Sequence, residues 1–468
     1  MLMTKYKVLL ITLLFAVSGI AAAQSRIDEP MSLQEKLASV QSVAFLKQIA
    51  DIAFKNQDWP RYIAAVRRAA ELQPYNQRTL FQLAAGYSLA GQRSHAYDLL
   101  LQLQQEGLSG DIESEPAFDN IRGHEVYDYI VFLFEENEKP FGEGRVDTTI
   151  KQPERIFEAL AYDPVRDAML VGSVRDGAIS IVGDDGSLQT LVTADQSNNL
   201  AGVFSLGVDA KRDLLWATSA NVPPHENAVA GNPIVNRLHK FRLSSGELLE
   251  TYDMQSEQPQ LFSALALAPN GDVFVADRIS PSIYRLIDGE SELTHYVSVR
   301  GKRGFRGLAM AENGHFLYAA DPTYGLFAID LEQQRVIEMT KPKLNLGGIE
   351  GVSISGNELV IVQNGIRPNR VLALTLADDG FNIESEQPIE ANHPVFEVPT
   401  AGFIQGRDFY YIGNSQRGRF DGTGTPLGPL DDLAIIRTNL DFETYEPPKM
   451  FDPNKGKPPV GISLPDDG

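Results

Sequence analysis

The sequence predicts a two-domain, α plus all-β chain: an N-terminal helical-repeat region followed by a six-bladed β-propeller. From Leu33 to about Phe134 glycine is scarce, and apolar residues recur at spacings of three and four, as at Leu46, Ile49, Ala50, Ala53 and Phe54. That is the period of an amphipathic helix. From about Val146 to Leu440 the apolar runs are short and come in pairs split by Asp, Asn or Gly turns. They read ALAYD/AMLVGSV, SLGVD/LLWATS, ALALA/VFVAD, GLAMA/FLYAAD, GVSIS/ELVIVQN and GFIQ/FYYIGN. The residue before each first strand falls at Glu158, Phe204, Ser263, Arg306, Glu350 and Ala401, giving steps of 46, 59, 43, 44 and 51. A four-stranded blade takes about 40 to 50 residues, so only the second step calls for an insertion. A β-sandwich also produces short alternating strands, but the near-constant period favours a propeller.

The elements follow in chain order. Lys5 and Lys7 precede the apolar run Val8 to Val17, and Ala21, Ala22 and Ala23 stand just before Gln24. This is the layout of a cleavable secretory signal over residues 1–23. It predicts a periplasmic or secreted protein with no transmembrane anchor after cleavage. The chain has no cysteine, so disulfides, a lipid-attachment cysteine and thiol chemistry are all excluded. Its net charge is −21, from 41 basic and 62 acidic residues. Such a surface repels polyanions, and no Lys/Arg block interrupts it, so nucleic acid is not an expected partner.

The helical domain is expected over residues 24–134. Gln57-Asp58-Trp59-Pro60 and Ala90-Gly91-Gln92 break it, each followed by a second helix, Arg61 to Leu72 and Ser94 to Gln105. Ala84, Tyr87, Gly91 and Ala96 resemble the small-residue, tyrosine, glycine and alanine positions of a tetratricopeptide repeat, with Pro74 closing a degenerate first unit. Small residues let paired helices approach, and neither pair buries its apolar face alone. The resemblance implies a surface for a protein or peptide partner. A plain helical cap packed on the next domain is the other reading.

EENEKPFGEG, within residues 135–145, reads as a linker, and the propeller is expected over residues 146–440. Asn221 to Asn236 is the blade-two insertion. Blade six supplies GFIQ, FYYIGN and LAIIRTNL, so VDTTIK at Val146 to Lys151 is expected to complete it and close the ring. The tail, residues 441–468, is rich in Pro, Asp, Gly and Lys and is expected to be extended or disordered.

Alternate loops of a blade open on one face, so residues before each first strand and after each second strand should converge at one mouth. Glu158, Ser263, Arg306 and Glu350 form the first candidate set; Asp277, Asp321, Asn364 and Asn414 form the second. Aspartates and asparagines after strands also serve as turn formers. Other signatures are weak. None of the seven histidines pairs at HExxH spacing, and no GxSxG, P-loop or helix-opening GxGxxG is present. His225, in the insertion, reads either as a residue near the mouth or as a solvated loop histidine.

FEALAYDPVRDAMLVGSV, IEGVSISGNELVIVQNGIRPNRVLAL and FYYIGNSQRGRF resemble the senescence-marker-protein/gluconolactonase (regucalcin-like) family of six-bladed propellers. The resemblance implies a divalent metal, commonly calcium, at the axial mouth. Its candidate ligands here are Glu158 and Glu350, since the asparagine positions fall near Phe204 or Ser205 and at Ser263. Arg306 offers a different picture, in which it bridges Glu158 and Glu350 in place of a metal. Two functions follow. One is an exported binding or scaffolding protein, with a partner surface on the helices and a small polar ligand at the mouth. The alternative is a calcium-dependent lactonase or ester hydrolase of the gluconolactonase type.

Overall fold

In the computed structural model the described residues are 32–223, 225–228, 232–254 and 258–441. The expected signal and all but the first residue of the expected tail lie outside them. The chain forms two compact units that divide between Leu72 and Gln73.

In the first unit, α1 (Leu33–Ala38), α2 (Val43–Lys55) and α3 (Trp59–Leu72) follow one another. Ser32 caps α1 through a capping box with Glu35, and Ser42 caps α2, each satisfying an N–H that the helix leaves open. Gln57, at φ 56°, turns the chain between α2 and α3. Leu46, Ala50 and Ala53 of α2 are buried, as are Ile63, Ala65 and Val66 of α3. The Arg68 guanidinium ties α3 to the Val40 carbonyl at 3.1 Å.

The second unit holds α4 (Gln77–Leu89), α5 (Arg93–Gln105), α6 (Glu125–Asn137) and every strand. Composition places the helix-to-strand boundary near residue 134, but the compact units part between Leu72 and Gln73, well inside the helical region. The cause is how firmly the later helices dock on blades four and five. Tyr75 sits in a cradle where a Cβ on Gly325 would come within 2.8 Å of its ring, and one on Gly347 within 2.4 Å of its carbonyl. Gln77 donates to the Arg367 carbonyl at 3.0 Å and accepts from its N–H at 2.8 Å. Buried Arg370 donates to the Glu106 carbonyl at 2.8 Å. Glu135 to Asn137 end α6, and Phe141–Gly142 forms a strand, β1, so the stretch read as a linker carries regular structure.

Six sheets make the propeller. Blade one spans Phe157 to Val192, blade two Gly202 to Met254, blade three Phe262 to Ser298 and blade four Gly307 to Met339, each as four consecutive antiparallel strands. Blade five, Ile349 to Ala391, gains β1 as a fifth, outermost strand through Phe141↔Ala391 and Gly142↔Glu390. Blade six takes three strands between Gly402 and Asn439, and its outer strand is β2 (Arg145–Ile150), paired from Arg145↔Arg437 to Ile150↔Leu433. The N-terminal strand therefore closes the ring, covering the outer side of the Leu433–Asn439 strand that blade six would otherwise leave unpaired. Each innermost strand touches the next, and that of blade six returns to that of blade one. Apolar layers fill the spaces between blades; Tyr318 and Leu326 pack with Leu359, Ile361 and Leu372 between blades four and five.

Candidate functional site

Ring closure brings one residue from every blade to the axis. Glu158, Phe204, Ser263, Arg306, Glu350 and Ala401 all line one cavity of about 100 Å³. Glu158, Phe204, Ser263 and Glu350 each lie at a register shift one or two residues inside the start of the innermost strand pairing. A bulge leaves its residue unpaired and re-aims the side chain. Repeated around the ring, the irregularity turns these side chains inward. It also explains why they are not the residues ahead of the strands, as periodicity suggests: the extra residue interrupts the alternation. The backbones are close here, since a Cβ on Gly351 would lie 2.9 Å from the Cα of Ala401.

Two positions further along, Leu160, Leu206, Leu265, Leu308 and Val352 line the same cavity. The charged and hydroxyl side chains of Glu158, Ser263, Arg306 and Glu350 therefore share the cavity with an apolar floor.

Three guanidiniums converge on Glu350: Arg306 at 2.6 Å, Arg417 at 2.7 Å and Arg278 at 3.3 Å. Arg417 also reaches Glu158 at 3.3 Å. Arg417, rather than Arg306, thus bridges the two carboxylates, and Arg306 meets Glu350 alone. The carboxylates are covered, with side chains 9% and 6% exposed at Glu158 and Glu350, whereas Arg278, Arg417 and Arg306 are 20%, 25% and 31% exposed. The arginine side chains are therefore more exposed than the carboxylates, and Arg278 and Arg306 line the cavity. Burial alone would raise the Glu350 pKa, but the Arg417 hydrogen bond and the three positive charges outweigh it and hold the carboxyl well below its usual range. Burial pulls Arg278 down. At Arg417 burial acts the same way, but Glu158 and Glu350 reverse it and raise its pKa.

Arg278 and Arg417 escape a reading by period because they sit in a bend and a short 3-10 helix after second strands, where no alternation orients a side chain. The usable signal was chemical: arginines at ADR and SQRGR on the loops that face a pair of glutamates. Arg417 is held by its loop, where the Gln416 amide donates to the Asp431 carbonyl and accepts from its N–H, both at 2.7 Å.

The second candidate set is placed differently, for none of it lines the cavity. Asp277 accepts from the Leu261 and Ile279 N–H groups at 3.0 and 2.9 Å and from Ser280 Oγ at 2.6 Å. Asp321 accepts from the N–H groups of Arg303 and Thr323, each at 2.8 Å. Asn364 donates to the Pro399 carbonyl at 2.8 Å, and Asn414 accepts from the Ala434 N–H at 2.7 Å. Asp277, Asp321 and Asn364 fasten the chain near the entries to the innermost strands, and Asn414 fastens the start of the Leu433–Asn439 strand of blade six, the structural role their types allow. Ser263, which does line the cavity, gives its hydroxyl to the Phe305 carbonyl at 2.9 Å. His225 is neither at the cavity nor solvated: it is 5% exposed, and its Nδ1 donates to the Arg175 carbonyl at 3.0 Å. His239 bonds Ser219 at 2.8 Å inside blade two, where burial pushes its pKa down to about 3.

The donor set does not fit the divalent metal that the family resemblance implies. Ca²⁺ takes six to eight oxygens. Here the rim offers two carboxylates already engaged by three guanidiniums, whose charge opposes a cation. Among the described residues no group of three or more His, Cys, Asp or Glu is arranged to hold a metal.

No family model and no curated protein matches this chain. Among solved structures it is similar to a PQQ-bound aldose sugar dehydrogenase from Streptomyces coelicolor, at 14% identity and a TM-score of 0.43, over 64% of this chain and 99% of that one. A glucose dehydrogenase matches at 12% identity and a TM-score of 0.45, over 64% of this chain and 99% of that one. A virginiamycin B lyase from Staphylococcus aureus matches at 13% identity and a TM-score of 0.42, over 63% and 99%. Likeness at this level bears on neither activity nor ligand.

Proposed function

We propose that the protein is an exported binding protein whose propeller axis takes a small polar ligand without metal and without turnover. The observation that carries this reading is Glu350 held among Arg278, Arg306 and Arg417 where a metal-dependent hydrolase would need open oxygen ligands. Fixed charges over a cupped floor can orient a ligand. A carboxylate whose pKa is depressed is a poor general base near neutral pH. The helices of the first unit serve as the partner surface in this reading, where α2 exposes Phe45 by 50% and Ile52 by 57%. Export rests on the sequence of residues 1–23.

The test uses protein stripped with a chelator and followed by thermal shift against small polar metabolites, with a lactone panel run in parallel. Stabilisation of metal-free protein that disappears in Arg306→Gln is the expected result. Calcium-dependent lactone turnover abolished by Glu158→Gln would overturn the reading.

A further inference from the structure

We infer that the axial ligand is a small monocarboxylate with a short apolar body, its carboxylate gripped by Arg278 and Arg306 and its body resting on the leucine floor. This rests on the binding reading above and names the ligand class of the same site. Charge is the first reason. Three guanidiniums face two carboxylates in the network, leaving one positive charge without a counterpart beside an apolar surface, where an ion without a partner is costly. Donor capacity is the second. A guanidinium carries five N–H donors, and among the described residues the Arg278 and Arg306 side chains make one ion pair each, both to Glu350. Both remain partly exposed, at 20% and 31%, so the open donors can receive a planar carboxylate from the mouth side. The floor is the third reason. Leu160, Leu206, Leu265, Leu308 and Val352 line the cavity below the rim, and its volume of about 100 Å³ suits a body of a few carbons. A second ligand carboxylate would have to enter beside the floor or against Glu158, and neither offers it a donor.

Calorimetric titration of the full chain at low ionic strength, with chelator present, tests this using acetate, propionate, butyrate, butyramide, butylammonium, chloride and inorganic phosphate. The expected result is carboxylate binding that tightens roughly three- to fourfold per added methylene, with butyramide, butylammonium and the inorganic ions at least about tenfold weaker than butyrate. Arg306→Gln and Arg278→Gln each weaken butyrate about tenfold or more. Leu308→Phe, which fills the floor and leaves the charges alone, abolishes the chain-length gain while acetate still binds. Butyramide or butylammonium binding as tightly as butyrate, and weakened by Leu308→Phe, would overturn the ligand class and leave the axial binding reading standing. Chloride or phosphate competing equally with butyrate would reduce the site to an unselective anion site and overturn the monocarboxylate. Binding of no probe, or butyrate binding indifferent to all three variants, would also overturn it, whereas calcium-dependent turnover would remove the underlying reading itself.

Discussion

Glu350 is the residue on which the rim depends. Its carboxylate is 6% exposed and meets three guanidiniums, so Glu350→Gln leaves buried positive charge without its partner. Breaking a buried pair from one side costs about 3–5 kcal/mol, and urea denaturation at neutral pH should show a loss of that order. Arg306→Gln, at a side chain 31% exposed, should cost less. The pH dependence has a definite sign. The folded pKa lies well below the ordinary one, so this stabilisation is fully present above the unfolded value near 4.3 and fades as pH falls towards the folded value. The stability gap between the native protein and Glu350→Gln should stay level from about pH 5 to 8 and narrow in stronger acid. A gap that narrows already between pH 7 and 5 would contradict it. At this scale the sequence reading found Glu158, Ser263, Arg306 and Glu350, because a repeat places equivalent residues on one axis. Arg278 and Arg417 lie in the connections after second strands, where the repeat says nothing about direction.

The outer edge of blade five and the seat of the helices set the behaviour of the elements. Glu390 lies beneath the junction of β1 and β2, where it accepts the Gly144 N–H at 2.9 Å. Burial pushes its pKa up to about 7 from 4.5, the Gly144 hydrogen bond only partly opposing it. Between those values the folded protein binds the more protons, so stability falls as pH rises through the window. Glu390→Gln should flatten that slope in melting curves taken from pH 5 to 8, and an unchanged slope would contradict the assignment. Tyr75 and Gly325 form the second element-scale test. Gly325 has φ +90° and no room for a Cβ beside the Tyr75 ring, so Gly325→Ala should destabilise by about 1 kcal/mol or more. Combined with Tyr75→Ala, it should cost less than the sum of the two changes, as neighbours in contact do. β2 was legible because blade six lacked a strand and VDTTIK stood unassigned. Packing of helices on the propeller was one of two readings of the helical region; the contacts that fix α4 to α6 there, such as Gln77 with Arg367, were not legible, since composition reports helical period but not what a helix end packs against.

Across the whole molecule, the repeat of innermost strands determines both architecture and chemistry. Six sheets converge on one axis, and the register shifts at Glu158, Phe204, Ser263 and Glu350 turn a structural period into a ring of inward side chains. The propeller was readable from period alone, whereas the ligand depends on how five charged side chains pair, which only three-dimensional proximity decides. The most direct test is diffraction from crystals of the full chain grown with a bromine-labelled butyrate in the presence of a chelator. The account predicts the carboxylate between Arg278 and Arg306, with the bromine's anomalous signal against Leu265 and Leu308. An empty axis, or a metal ion bound by Glu158 and Glu350 with the arginines turned away in crystals grown with calcium, would contradict it.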